Sequence, residues 1–148
     1  MKMTDEIREI INKSKVHLAT SSKDGKPNVV PVGFIEAISD YQLLIVDILF
    51  DKTRKNLEEN PQVAVAVEAL SEFKAYQLKG TAEIFTSGAM LDMALEVVRR
   101  REEKRRQRYT REQIEEPEWL GKIHQIKPKA AILIEVEEIY STIDSREQ

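Results

Sequence analysis

Six apolar runs of strand length, most separated by no more than a turn, limit this chain's fold more than any other feature. They are VHLAT at 16–20, NVVPVGFIEA at 28–37, YQLLIVDI at 41–48, QVAVAVEA at 62–69, KAYQLKGTAEIF at 74–85 and AAILIEVEEIYSTI at 130–143. Neighbouring parallel strands need a crossover of a dozen or more residues, usually a helix, and most gaps here are too short for one. The pattern lacks the regular strand–helix alternation of a doubly wound sheet and predicts an antiparallel barrel. Local signals agree. Asp24-Gly25 is a strong hairpin turn. Pro31 lacks an N–H and belongs at a strand edge or an irregularity, and Gly33 permits a bulge or a close approach. Gly80 predicts a bend or bulge within the long 74–85 strand. Run 41–48 is apolar on both faces and is therefore deeply buried. In 62–69, Val63, Val65 and Val67 alternate with Ala64 and Ala66, so one face is bulky and the other shallow, suited to close packing against an element or a second subunit.

A chain of 148 residues is most simply one domain, 1–148, with enough length for a sizeable core. Its formal net charge of −3 gives no global case for nucleic acid or an anionic membrane. There are no cysteines, which excludes disulfides, thiolate catalysis and cysteine-ligated metal centres. The first residues carry no signal-peptide core, and no run approaches the ~20 apolar residues of a membrane helix. A cytoplasmic protein is the expectation.

Three helical stretches interrupt the strands. Thr4 can cap the first, whose Ile7, Ile10 and Ile11 form one stripe. Ser87 can cap the third, with Met90, Met93, Ala94 and Val97 as its buried face, and PEWLGKIHQI at 117–126 reads as a short helix or turn. The second is the informative one. In DILFDKTRKNLEENP, 47–61, an apolar strand runs directly into Lys52, Thr53, Arg54, Lys55 and Asn56, and Asn60-Pro61 ends the helix. A helix start exposes unpaired N–H groups and positive potential, which attract phosphate. Lys52 adds a charge, Thr53 a hydroxyl, Arg54 a two-pronged donor and Asn56 an amide. The residues alone equally allow Asp51 or Thr53 to cap a surface helix whose cations face water. No GxGxxG or Walker A pattern is present, so any phosphate site is of another kind.

The order NVVPVGFI, LLIVDILFDKTRKNLEENPQVAVAV, AYQLKGTAEIF resembles the FMN-binding split β-barrel family related to pyridoxamine 5′-phosphate oxidase. The likeness runs from Val16 to Phe85, and the last strand is consistent with it. Its most specific part is a strand followed by Lys-Thr-x-x-Asn-Leu-x-x-Asn-Pro, met at Lys52, Thr53, Asn56, Leu57, Asn60 and Pro61. The resemblance implies a mainly β, α+β fold: a six-stranded antiparallel split β-barrel with flanking helices and a helical insertion near 87–125. It implies that FMN is the cofactor, with Lys52 and Thr53 on its phosphate and Asn56 or Lys55 nearby. It places the backbone of Val30, Pro31, Val32 and Gly33 along the isoalloxazine, and Val46, Asp47 and Ile48 on the other side. It implies a homodimer with cofactor sites at the interface, where Gln77 and Lys79 reach the flavin from the partner chain. The residues alone also read those two as solvated positions of an alternating strand.

The expected function is hydride or electron transfer through bound FMN, with a small-molecule or protein electron donor or acceptor and no side-chain acid or base required. The alternatives are a flavin-binding electron carrier or storage module without its own substrate, or the same barrel binding deazaflavin or haem. No Arg-rich C-terminal substrate motif like that of pyridoxamine phosphate oxidases is evident, so oxidation of a B-vitamin phosphate is not expected. The run from Arg99 to Arg111 reads first as a solvated helix laced by the pairs Glu96–Arg100, Glu102–Arg106 and Arg108–Glu112. Contact with nucleic acid or an acidic protein, or an overhang binding an anionic substrate, are the other readings. His17 and His124 are isolated, no metal-ligand spacing exists, and both read as structural. Trp119 is expected to pack its segment onto the barrel.

Overall fold

The computed structural model describes residues 1–123, 125 and 127–143. Helix α1 (Asp5–Lys13) is followed by β1 (Val16–Ser21), β2 (Pro27–Val32), β3 (Ile35–Ala37) and β4 (Gln42–Asp47). Helix α2 (Lys52–Glu59), β5 (Gln62–Ala69), β6 (Lys74–Phe85), α3 (Gly88–Glu112), α4 (Glu118–Ile123) and β7 (Ala130–Ser141) complete the order. All strand pairs are antiparallel, in the order β2-β1-β5-β6-β7-β4-β3.

The described strands number seven rather than the expected six, because run 28–37 breaks into β2 and β3 around Gly33-Phe34. The break shapes the whole molecule. β2 and β3 are the two outer strands of the sheet, yet only two residues separate them. The sheet must therefore curl until its edges nearly meet, which is a split barrel. The Val46 N–H donates to the Phe34 carbonyl (3.0 Å) and holds the junction to β4. Pro31, lacking an N–H, sits on edge strand β2 opposite His17, where a missing donor costs least. At Gly80 the β6–β7 register shifts, and any Cβ there would collide with the Glu135 carbonyl. The turn of Asp24-Gly25 joins β1 to β2, with Gly25 at φ +86°.

The interior is filled by inward residues such as Val16, Leu18, Leu43, Ile45, Val65 and Leu78, and α1 closes one end with Ile7, Ile10 and Ile11. The Thr4 side chain accepts the Ile7 N–H (3.2 Å) and caps α1. β4 is buried on both faces because a second cluster lies on its outer side: Leu44, Val46 and Phe34 pack against Ala94 and Val97 of α3. The buried row of α3 is Met90–Ala94–Val97. Met93 lies beside that row and is exposed, contrary to expectation, and Ser87 stands at the N-cap without a capping side-chain bond. Helix α4 is held by Leu120, which is 1% exposed, while Trp119 is 54% exposed, contrary to expectation. Among the described residues no helix is long and apolar enough to cross a membrane.

Candidate functional site

Two cavities lie along the same pair of chain segments. One segment is β2 with its approach and exit, 26–34; the other is the end of β4 with α2, 46–59. The first cavity, about 310 Å³, is apolar and is lined by Val30, Pro31, Gly33 and Phe34 on one side and Val46, Ile48, Leu49 and Phe50 on the other. The second, about 280 Å³, is polar: Ser22, Lys26, Pro27 and Asn28 face Lys52, Lys55, Asn56 and Glu59. The apolar cavity lies at the later end of the first segment and the earlier end of the second, and the cationic one at the opposite ends. Three lysines meet at this cationic mouth, and Lys26, Lys52 and Lys55 have no ion-pair partner among the described residues.

The mouth is built on a buried polar network. Asn28 donates to the hydroxyls of Thr53 (3.1 Å) and Thr20 (3.4 Å), and Asn56 donates to Thr20 (3.0 Å). Thr20, Thr53 and Asn56 are buried. Such groups are tolerated in the interior only when paired. The pairing locks α2 to the β1–β2 hairpin and fixes the direction in which Lys52 and Lys55 point.

A buried carboxylate ties the end of β4 to α2. Asp47 is 0% exposed; one of its oxygens accepts the Phe50 N–H (3.0 Å) and the other accepts Arg54 Nη1 (2.9 Å). Arg54 also pairs with Glu58 (3.1 Å). Arg54 is thus committed within the fold and does not serve the mouth as a two-pronged anion donor, although the α2 sequence offers it for that task. Asp51 stands at the N-cap without a capping side-chain bond and faces solvent, and the Thr53 hydroxyl is occupied by Asn28, so neither caps the helix.

Of the twelve expected site residues, Val30, Pro31, Gly33, Val46 and Ile48 line the apolar cavity, and Lys52 and Asn56 line the polar one. Thr53 lies just beneath, 2% exposed. Val32 points into the core, so only its backbone remains available. The Asp47 side chain is spent on Arg54 and Phe50. Gln77 and Lys79 lie on β6, on the sheet's outer face, beside Tyr140 of β7: Gln77 donates to its hydroxyl, and Lys79 Nζ is 5.7 Å from the ring centroid. Within one chain they line neither cavity. The same outer face carries His17, Ala64 and Ala66, since His17 pairs with Ala66 and Ala66 with Gln77. His124 falls outside the described residues, and no cluster of three or more metal-ligating side chains exists among those described.

Sequence reasoning missed Lys26 and Asn28, which supply the opposite wall of the mouth. The signal was present. The Asp24-Gly25 hairpin sets Thr20 opposite Asn28, and alternation then gives Thr20 and Asn28 the same face. Leu49 and Phe50 were missed because they follow the strand in a turn with no periodicity.

A curled antiparallel sheet, with an apolar and a cationic cavity along the same two segments, defines a split-barrel protein of the α+β class. The sequence profile described as pyridoxamine 5′-phosphate oxidase matches residues 3–143, and the chain belongs to that family. It is 33% identical over 143 residues to the uncharacterized protein MJ0282 of Methanocaldococcus jannaschii, covering 95% of this chain and 81% of that one. Among solved structures it resembles HupZ of Group A Streptococcus (TM-score 0.70, 24% identity, 96% of this chain and 95% of that one). It also resembles an FMN-binding protein of Syntrophomonas wolfei (TM-score 0.67, 14% identity, 91% and 82%). The fold is shared too by an F420 reductase and by HutZ, the heme storage protein of Vibrio cholerae, at TM-scores of 0.59 and 0.58. At these identities the structural likeness establishes the fold.

Proposed function

We propose that this chain is an FMN-binding flavoprotein that performs hydride or electron transfer through the bound flavin. The observation that carries the reading is that two cavities, one apolar and one carrying three lysines, lie along the same two chain segments. A flat tricycle with a dianionic tail needs both environments. The residues fit the group: Lys26 and Lys52 supply charge for the phosphate, the start of α2 supplies free N–H groups, and the Thr53 hydroxyl, which accepts from Asn28, retains its own proton to donate. Val30, Pro31, Val46 and Ile48 would flank the ring, and the Gly33 backbone leaves room at its edge. FMN supplies the redox chemistry when bound; the chain orients it and keeps water from one side.

The protein is read as a cytoplasmic homodimer. The shallow outer face around Ala64 and Ala66 supports it, because small side chains allow a second sheet to approach closely. Gln77 and Lys79 on that face would then reach the partner's cofactor. The absorption spectrum of the purified protein, with mass spectrometry of whatever denaturation releases, is the test. Flavin bands and released FMN are expected. A Soret band, a deazaflavin spectrum, or colourless protein that stays colourless with added FMN would overturn the reading. Bleaching by a reduced nicotinamide identifies an enzyme with its own small-molecule donor; bleaching only by a reduced protein identifies a carrier.

A further inference from the structure

Helix α3 changes character partway along one face. Residues 90, 94 and 97 are its barrel-facing row, and continuing that row by helical spacing gives Arg101, Lys104 or Arg105, Arg108 and Arg111. Arg101 is the last member that touches the barrel: it donates to the carbonyl of Ile35 on edge strand β3 and, at 3.4 Å, to that of Asn12. Beside it Arg100 pairs with Glu36 (3.2 Å). Beyond this clamp no member of the row hydrogen-bonds the sheet among the described residues. Lys104, Arg108 and Arg111 are exposed, Arg105 is half-buried, and none has an ion-pair partner among the described residues.

On the solvent-facing side of the same helix, Arg99 and Arg100 are paired with acids. Arg99 binds Glu96 (2.6 Å) and Glu103 (3.1 Å). Glu96–Arg100 forms at 4.0 Å, whereas among the described residues Arg106 and Arg108 do not pair with Glu102 and Glu112 as expected. The helix leaves its barrel-side row cationic and unpaired beyond Arg101, with only Glu112 at its close.

We propose that this row is a docking surface for an acidic patch on another protein. Residues 98–111 hold eight cations and two acids, a balance of +6 in a chain of −3, so the remainder carries −9. That distribution suits a compact, oriented contact, where local complementarity fixes the approach while the acidic remainder rejects a long polyanion. Glu112, Glu115, Glu116 and Glu118 follow the row immediately and would repel a continuous phosphate backbone running past it. Because α3 also packs on Phe34 and Val46, which line the apolar cavity, a protein docked on the row sits against the helix that backs that cavity.

The test uses the full chain and two triple variants, each taking the net charge from −3 to −6. One removes the row (Lys104→Gln, Arg108→Gln, Arg111→Gln); the other removes lysines elsewhere (Lys2→Gln, Lys13→Gln, Lys15→Gln). Glutamine keeps helix propensity, and circular dichroism checks that both fold. The probe is a labelled alanine-based helical peptide with glutamate at i, i+4 and i+7, read by anisotropy at low and high salt. The expected result is binding to the parent that falls about tenfold in the row variant, persists in the control variant and disappears at high salt. Equal binding by the row variant and the parent would overturn the proposal. So would a short DNA duplex outcompeting the peptide, which makes nucleic acid the occupant. Sedimentation showing parent self-association that the row variant abolishes would make a second copy the occupant and overturn it as well.

Discussion

Helices α2 and α3 both open after a strand and both carry runs of cations, yet the fold treats them oppositely. In α2 the polar side chains go inward. Thr53 and Asn56 join a buried network with Thr20 and Asn28, and Arg54 reaches a fully buried Asp47. In α3 most polar side chains remain outside, only Ala94 and Val97 are fully buried, and Arg101 reaches the Ile35 carbonyl at the sheet edge. A cluster of charges is therefore no more a site in itself than a solvated face; what decides is whether the fold commits neighbouring groups to hold it. At α2 that commitment leaves Lys52 and Lys55 facing a cavity whose far wall carries Lys26.

The sharpest way to break this contrast is at Arg54. Arg54→Ala strands the Asp47 carboxylate without its partner and should cost about 3 kcal/mol or more of stability, read from urea unfolding, since an unpaired buried charge is heavily penalised. Arg99→Ala in α3 should leave the unfolding midpoint where it is, because its pairs are solvent-exposed. If the two substitutions cost the same, the distinction between the helices fails. Next in size is Lys52→Ala. It should weaken FMN binding about tenfold or more, by loss of a charge-assisted contact, without lowering the stability of the unliganded protein. A fall in stability matching that of Arg54→Ala would recast Lys52 as structural.

Third is Asn28→Ala, which leaves the Thr53 and Thr20 hydroxyls short of a donor. About 1–2 kcal/mol of stability should be lost, and FMN affinity should fall with it, since the mouth is no longer held in place. The smallest effect concerns pH. The hydrogen bond from Arg99 holds the Glu96 carboxyl below its ordinary value of 4.5, against a lesser opposing push from burial. Its contribution to α3 is therefore complete above that value and is lost only as the pH falls through the lowered one. Helicity followed by circular dichroism should show that late step in the parent and not in Arg99→Gln.

Much of the architecture was legible in the residues. The antiparallel sheet, the hairpin of Asp24-Gly25, the irregularity at Gly80 and the two-faced burial of 41–48 each have a local cause that the sequence states. The strand count was not legible, because a strand broken at Gly33-Phe34 reads as continuous until both sheet edges are known to need it. The apolar cavity's lining and the place of Lys52 came from the family resemblance, since the residues alone equally allow Lys52 to face water on a capped surface helix. Lys26 and Asn28 lay one step further, behind a cross-strand register. The commitment of Arg54 to Asp47 was out of reach, since the sequence shows a cation but not which acid lies within 3 Å of it. Met93 and Trp119 were misread for one reason: an apolar residue near a buried row was taken to belong to it, and about half the surface of any folded protein is apolar.

The central claim is that the cationic mouth at α2 holds the phosphate of a flavin whose ring lies between β2 and the end of β4. The direct measurement compares FMN with riboflavin, which has the same ring and no phosphate, by fluorescence titration of the apoprotein and of its Lys52→Ala variant. Tight FMN binding, much weaker riboflavin binding and collapse of that gap in the variant are predicted. Equal affinity for the two ligands, or a gap untouched by Lys52→Ala, would contradict the account.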